Sequence, residues 1–261
     1  QDTNLVQNGD FSQLGSELIT NGDFSSDSDW QTQTGWSISN GKANAILAPH
    51  LSRLQQLNLG QNINKIHKIT FTVSNLTQGS INVWFGSASS QNISSNGSFT
   101  LYLTPTSTAQ FFIYANGTTT GSIDNVSVKQ VDPNDEWTLG SGWSFGDGKA
   151  ISINSTNSNL ENTPISIANG KQYKFTFEIT DFTGNGFVRP QLGAVGAVLG
   201  TYVQGNGVYS QILIANSNFD RIVLRTGGGD GFNGSISNIS VQEIQVNTPR
   251  IDFSDSADGA L

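Results

Sequence analysis

An internal repeat is the feature that most constrains the fold of this chain. Three segments of the first half reappear in the second half in the same order: 29–43 at 136–150, 67–73 at 173–179, and 121–128 at 234–241. The offset between the copies changes along the chain, from 107 to 113 residues, which indicates small insertions in loops between fixed elements. The repeat predicts two modules, 18–131 and 134–246. A lead-in segment, 1–17, precedes them, and 247–261 is predicted to begin a further region.

The lead-in segment carries a second copy of the motif that opens the first module. Residues 18–24 read Leu-Ile-Thr-Asn-Gly-Asp-Phe, and residues 5–11 read Leu-Val-Gln-Asn-Gly-Asp-Phe. The second module lacks such an opening. Two interpretations of the earlier copy stay open: a vestigial module start, or the last strand of an upstream region.

Apolar residues alternate with polar ones throughout both modules, as in Ile69, Phe71 and Val73. This period of two indicates half-buried strands. Asn-Gly, which suits the type I′ turns of hairpins, occurs nine times. The predicted fold is all-β, with two tandem antiparallel β-sandwich domains of jelly-roll type.

One stretch has helical spacing instead, through Leu51, Leu54 and Leu57. Its counterpart at 159–167 contains Pro164 and is predicted to be a strand or a loop.

Four tryptophans recur at the same spacing in both modules, which assigns them mainly to the cores: Trp30, Trp36, Trp137 and Trp143.

Composition excludes several partners. The net charge of −8 disfavours nucleic acid and anionic membranes. The chain has no run of 18 apolar residues that could insert into a bilayer. It contains no cysteine and no methionine, so it has no disulfide framework, and we expect it to be a piece of a longer protein.

No catalytic constellation stands out. The two histidines, His50 and His67, have no evident nucleophile partner, and the acidic residues cluster at module edges. We therefore expect no enzyme activity. The alternative is an enzyme whose catalytic domain lies outside this chain, with these modules as its substrate anchors.

Together, the Leu-Ile-x-Asn-Gly-Asp-Phe opening, the Trp…Gly-Trp-Ser segment and the Gly-x-Ile-Asp-Asn-Val-Ser-Val ending resemble carbohydrate-binding modules of families four, nine, sixteen and twenty-two. The particular residues of these motifs resemble the versions of such modules that occur in bacteriophage tail fibres and other virion proteins. The segment 248–261 resembles one that introduces the next region of such fibres.

The resemblance implies a structural calcium ion, held near the start and end of a module. It carries over only to Asp23 and Asp124 of the first module, because the second module has Ser237 where the first has Asp124. Calcium takes six to eight oxygen ligands, so backbone carbonyls would have to complete the site.

A sugar-binding face needs a flat aromatic ring and planar polar groups. If Ile81, Val83 and Phe85 face inward, Asn82 and Trp84 face outward, and Tyr102 follows the same alternation on the next strand. These three are the predicted ligand residues of the first module. The alternative is that Trp84 covers a sandwich edge or packs on the neighbouring module.

The second module presents a different predicted face. Arg189 and Gln191 take the places of Asn82 and Trp84. Arg221 and Arg225 share a strand with the inward Ile222 and Leu224. Guanidinium groups suit an acidic sugar or an acidic patch on another subunit; the alternative is that they are solvated strand residues.

The favoured hypothesis is a non-catalytic segment of a bacteriophage virion protein, a tail or head fibre, that recognises or packs near cell-surface glycans. Its expected location is the virion surface. Its expected partners are a glycan and other virion subunits, with a homotrimer implied by the fibre resemblance. The alternative is a secreted bacterial adhesin, or the carbohydrate-binding arm of a polysaccharide-degrading enzyme.

Overall fold

A computed structural model describes residues 3–60, 63–107 and 110–245. The regular structure in these ranges is entirely β-strand, which confirms the all-β prediction. Within them, no helix is long and apolar enough to cross a membrane. The region predicted at 247–261 lies outside the described residues. The strands are β1 (Leu14–Glu17), β2 (Gln31–Thr32), β3 (Trp36–Ser39), β4 (Lys42–Ala48), β5 (Arg53–Gln56), β6 (His67–Phe85), β7 (Ala88–Ser89), β8 (Gly97–Leu103), β9 (Phe111–Val131), β10 (Trp137–Leu139), β11 (Trp143–Gly146), β12 (Lys149–Ser155), β13 (Asn159–Asn162), β14 (Gln172–Thr183), β15 (Phe187–Leu192), β16 (Val198–Leu199), β17 (Gly207–Ile214), β18 (Ile222–Gly227) and β19 (Phe232–Glu243).

Two long strands, β6 and β9, run through both layers of the first half. The start of β6 pairs with the end of β9, and β1, β3, β4 and β8 extend this layer. The end of β6 pairs with the start of β9, from Ile81 opposite Ala115 to Phe85 opposite Phe111, and β2, β5 and β7 extend this layer. We call the second layer the Trp84 sheet. Register shifts between Ser74 and Ser80 separate the two layers.

The second half repeats this arrangement with the long strands interrupted. One of its sheets has the order β11-β12-β19-β14-β17, and the other has the order β10-β13-β18-β15-β16. We call the latter the Arg189 sheet. All strand pairs in both halves are antiparallel, as predicted.

Each half has its own hydrophobic core between its two layers. In the first half, Ile69 and Phe71 from one layer and Val83 and Phe85 from the other belong to one buried cluster. The alternating pattern therefore placed the correct side chains inside. The four repeated tryptophans are at most 8% exposed, which confirms their assignment to the cores.

The helical interpretation of Leu51, Leu54 and Leu57 is wrong. Strand β5 runs through this stretch and pairs with β2 and β9. Leu54 is fully buried, whereas Leu51 and Leu57 are exposed, so the three leucines do not share one face. In the counterpart stretch, predicted to be a strand or a loop, β13 covers the first four residues.

The motif copy at residues 5–11 packs into the core of the second half. The rings of Phe11 and Trp137 lie 4.9 Å apart between centroids, and the indole Nε1–H of Trp137 donates to the Asn8 carbonyl at 3.0 Å. The Gly9 carbonyl accepts the Ile239 N–H at 2.9 Å. A side chain at Gly9 would collide with the Ile239 carbonyl, so this close approach requires glycine.

The same contacts recur in the first half with the other copy of the motif. Phe24 lies 5.1 Å from Trp30, the Trp30 Nε1–H donates to the Asn21 carbonyl at 2.9 Å, and the Gly22 carbonyl accepts the Val126 N–H at 2.8 Å. The earlier copy is thus the opening segment of the second sandwich. In sequence, the first sandwich is inserted between that opening and the remainder of the second.

Candidate functional site

The outer face of the Trp84 sheet carries an aromatic cluster. Register places Trp84 opposite Phe112 and Asn82 opposite Tyr114 on the adjoining strands β6 and β9. On the other side of β9, Arg53 lies opposite Tyr114. These five side chains therefore project from the same side of one sheet, away from the core.

The rings of this cluster contact each other directly. Trp84 and Phe112 lie nearly parallel, with 5.7 Å between centroids and an interplanar angle of 10°. Tyr114 lies 6.4 Å from Trp84 and 6.3 Å from Phe112. The Arg53 guanidinium lies 4.5 Å from the Phe112 centroid, which adds a cation–π contact at the rim of the cluster.

The sequence pattern correctly predicted that Asn82 and Trp84 point away from the core, but both side chains are less exposed than expected. Trp84 is half-buried beside its aromatic neighbours, and Asn82 is buried. The Asn82 amide donates to the Ser90 carbonyl at 3.2 Å, while its Oδ1 has no hydrogen-bond partner. The Trp84 Nε1–H is also unpartnered. An unpaired buried group of this kind costs about 1–3 kcal/mol. A polar group that formed a hydrogen bond to either of these two atoms would therefore stabilise the protein.

Phe112, Tyr114 and Arg53 were missed at the level of sequence. The run Phe111–Ala115 alternates in the same way as Ile81–Phe85, since Phe111, Ile113 and Ala115 are buried. That alternation alone would have placed Phe112 and Tyr114 outside, next to Trp84.

Tyr102 is not part of this face. It lies on β8, in the opposite layer, where it pairs with Lys68. Its hydroxyl accepts the Asp147 N–H at 2.7 Å, and its ring packs against the core of the second half. Burial there is the main cause that raises the pKa of Tyr102; the Asp147 N–H opposes the rise, and the Asp147 carboxylate adds to it. Tyr102 thus contacts the second sandwich rather than the outer face that carries Trp84.

The Arg189 sheet places different side chains at the equivalent positions. Register puts Arg189 opposite Arg225, and Gln191 opposite Val223. Gln191 thus stands where Trp84 stands in the first half, and Arg225 stands where Tyr114 does. This confirms that Arg189 and Gln191 occupy the places of Asn82 and Trp84.

The three predicted arginines have unequal surroundings. Arg221 forms ion pairs with Asp220 at 3.0 Å and Glu161 at 3.1 Å, and these carboxylates raise its pKa further. The Arg189 guanidinium lies 4.8 Å from the Tyr202 centroid and donates to the Tyr202 hydroxyl at 3.0 Å. Arg225 is exposed, and its guanidinium forms no hydrogen bond or ion pair with the described residues.

The residues predicted to hold calcium are engaged within their own turns. Asp23 accepts the Ser25 N–H at 3.2 Å, and Asp124 accepts the Asn125 N–H at 2.7 Å. Across residues 3–60, 63–107 and 110–245, no group of three acidic or histidine side chains could hold a metal. Asp23 and Asp124 alone supply fewer than the six to eight oxygens that calcium takes, so an ion at this place would need backbone carbonyls as further ligands.

Comparison with known proteins finds no matching family model and no matching curated protein. Among solved structures, the tandem CBM22 domains of Paenibacillus barcinonensis Xyn10C are 8% identical, with 89% of this chain and 99% of that chain covered and a TM-score of 0.33. Allantoicase from Saccharomyces cerevisiae is 11% identical, with 93% of each chain covered and a TM-score of 0.36. The M60 catalytic domain of Clostridium perfringens ZmpB with its two CBM51 domains is 7% identical, with 92% of this chain and 38% of that chain covered and a TM-score of 0.24. At these values, what those proteins bind or catalyse does not transfer to this chain.

Proposed function

We propose that this chain is a non-catalytic glycan-binding segment, and that the outer face of the Trp84 sheet holds the sugar. The observation that carries the proposal is the half-buried cluster of Trp84, Phe112 and Tyr114 on an open sheet face. Aromatic rings give sugars an apolar surface to lie on, and nearby amides and guanidinium groups bind their hydroxyls.

The polar rim of the cluster supports this function. Asn82 Oδ1 is unpartnered next to the rings, and Arg53 holds its guanidinium over Phe112. Gln55, on the same strand and face as Arg53, bonds to the Gln31 side chain at 2.9 Å. A sugar on the rings would therefore have a cationic donor and an amide beside it, and the buried Asn82 Oδ1 would be the acceptor next to the rings.

We propose that the chain belongs to a bacteriophage virion component, on the resemblance of the Asn-Gly-Asp-Phe and Gly-Trp-Ser motifs alone. The second candidate is a secreted adhesin or the binding arm of a polysaccharide-degrading enzyme. The residues that flank this chain in the full protein distinguish them. A fibre repeat or virion-attachment region favours the first, and a hydrolase domain favours the second.

A glycan array tests the proposed function directly. The fluorescently labelled chain should bind a defined subset of neutral or acidic glycans, and Trp84→Ala should lose the neutral ones. Absence of binding to any glycan, at micromolar protein and with multivalent display, would overturn the proposal.

A further inference from the structure

We infer that the second half carries a separate site for the anionic group of an acidic glycan, formed by Arg189, Arg225 and Gln191 on the outer face of the Arg189 sheet. The inference rests on the proposed function in one respect, namely that the chain binds glycans. It adds a second site with a different chemistry from the aromatic face of the first half.

Two arginines face each other there without a carboxylate between them. Arg189 and Arg225 are direct cross-strand partners, so their Cβ atoms lie about 5 Å apart. Like charges at such positions destabilise a sheet. The Arg225 guanidinium has no polar partner among the described residues, and the Arg189 Nε is buried and unpartnered. An anion bound between the two guanidinium groups would relieve this repulsion and would accept their N–H groups.

Gln191 adds a third donor to the same face. It lies two residues beyond Arg189 on β15, so its side chain projects from the same side of the sheet. Gln191 is 4% exposed, and its Nε2 has no hydrogen-bond partner. A buried amide that lacks an acceptor, beside two cations, favours an acceptor-rich group such as a carboxylate or a sulfate ester.

The nearest carboxylate does not fill this role. Glu161 lies on β13, and its Oε1 accepts from the Asn159 amide while its Oε2 pairs with Arg221 at 3.1 Å. Arg221 is in turn bound by Asp220. The charges of Glu161 and Arg221 are thus satisfied by each other and by their neighbours, and none of the described residues supplies a counterion to Arg189 or Arg225 on this sheet.

An exposed ring next to the arginines favours a sugar over an acidic protein surface. Tyr202 is 57% exposed, supports the Arg189 guanidinium, and packs against Phe187 at 4.2 Å between centroids. It offers an apolar surface beside the anion site, which suits a pyranose that carries an acidic substituent.

Binding of the intact chain to charged and uncharged polymers tests the inference. Polygalacturonate supplies carboxylates, dextran sulfate supplies sulfate esters, and fully methyl-esterified pectin and dextran are the neutral counterparts. We expect one or both anionic polymers to bind, with affinity falling as salt rises. Arg225→Gln should weaken that binding about tenfold or more, because one charge-assisted hydrogen bond is removed.

Lys174→Gln is the matched control, since it removes the same charge from an exposed position in the opposite sheet. Equal affinities of the Arg225→Gln and Lys174→Gln variants would overturn the inference. So would binding of poly-glutamate as tightly as of polygalacturonate, which would indicate an acidic protein partner. If neutral glycans bind through Trp84 and no anionic polymer binds, the inference fails while the proposed function stands.

Discussion

Phe11 packs against Trp137 with 4.9 Å between ring centroids, although the entire first sandwich lies between them in sequence. Val6, from the same opening segment, belongs to the same core. The second sandwich is therefore built from two separate parts of the chain. This arrangement means that the folding of the second half depends on residues at the opposite end of the sequence.

Phe11→Ala should destabilise the second half selectively. Removing a buried phenylalanine side chain costs about 3–5 kcal/mol, and the cavity would lie beside Trp137 and Phe145. Hydrogen exchange, resolved by segment, should show lost protection in β10–β19 and retained protection in β3–β9. Phe24→Ala is the matched control, and it should produce the reverse pattern. Lost protection confined to the first half in Phe11→Ala would contradict the account.

Fragments test the same point. A fragment of residues 134–245 should unfold at a lower temperature than one in which residues 1–13 are joined to it through a flexible linker. The linked fragment regains Phe11, Val6 and the Asn8 carbonyl, which accepts the indole Nε1–H of Trp137. The fragment 14–131 should show a cooperative transition alone. Equal melting temperatures with and without residues 1–13 would show that the opening segment is dispensable.

His67 should make the stability of the first half depend on pH. It is 1% exposed, its ring lies edge-on to Phe85 at 4.9 Å, and its Nδ1 lies 2.9 Å from the Lys65 carbonyl. Burial lowers the pKa of His67, and the Lys65 carbonyl opposes this only in part. Its usual pKa is about 6.5, so below that pH the unfolded chain takes up a proton that the folded chain resists.

This stability contribution is complete above pH 6.5 and declines as the pH falls toward the lowered pKa of the folded state, by at most about 1.4 kcal/mol per pH unit. Denaturant unfolding at pH 7.5, 6.5 and 5.5 should show the decline. The variant His67→Tyr has at this position the residue type that the second half has at Tyr173. It should remove the decline in stability between pH 7.5 and pH 5.5. An unchanged pH profile in that variant would assign the dependence to other groups.

The calcium prediction has a simple thermal test. An ion held by Asp23 and Asp124 would stabilise only the first half, by about 2.7 kcal/mol at a hundredfold excess over its Kd. If backbone carbonyls complete the site, the first half should melt at a higher temperature in calcium than in chelator, and Asp124→Asn should abolish the difference. Equal melting temperatures in calcium and in chelator would remove the ion from the account.

Local alternation made most of the fold predictable. The repeat and the period-two pattern identified the strands, the core tryptophans and the outward direction of Trp84 and Arg189. The helical spacing of Leu51, Leu54 and Leu57 gave a wrong prediction of a helix. Only Leu54 reaches the core, and the stretch pairs with β9 as a strand. The placement of Tyr102 was not predictable, because alternation gives the side of a strand and not the layer of the sandwich to which the strand belongs.

The opening of the second sandwich was hidden for a related reason. A motif copy at residues 5–11 has the right sequence, but nothing local shows that it skips the neighbouring module and packs against Trp137. Contacts between distant segments are set by tertiary packing, which strand periodicity does not encode.

Titration calorimetry with a neutral glycan identified by the array tests the central claim most directly. Trp84→Ala should weaken binding roughly tenfold or more, since a stacked aromatic ring contributes on the order of 1 kcal/mol beyond its buried area. Ile153→Ala, which removes an exposed apolar side chain from the other half, should leave the affinity unchanged. Circular dichroism and melting would confirm that both variants are folded, because Trp84 also packs against Phe112. Unchanged affinity in a folded Trp84→Ala protein, or equal losses in the two variants, would contradict a glycan site on the Trp84 sheet.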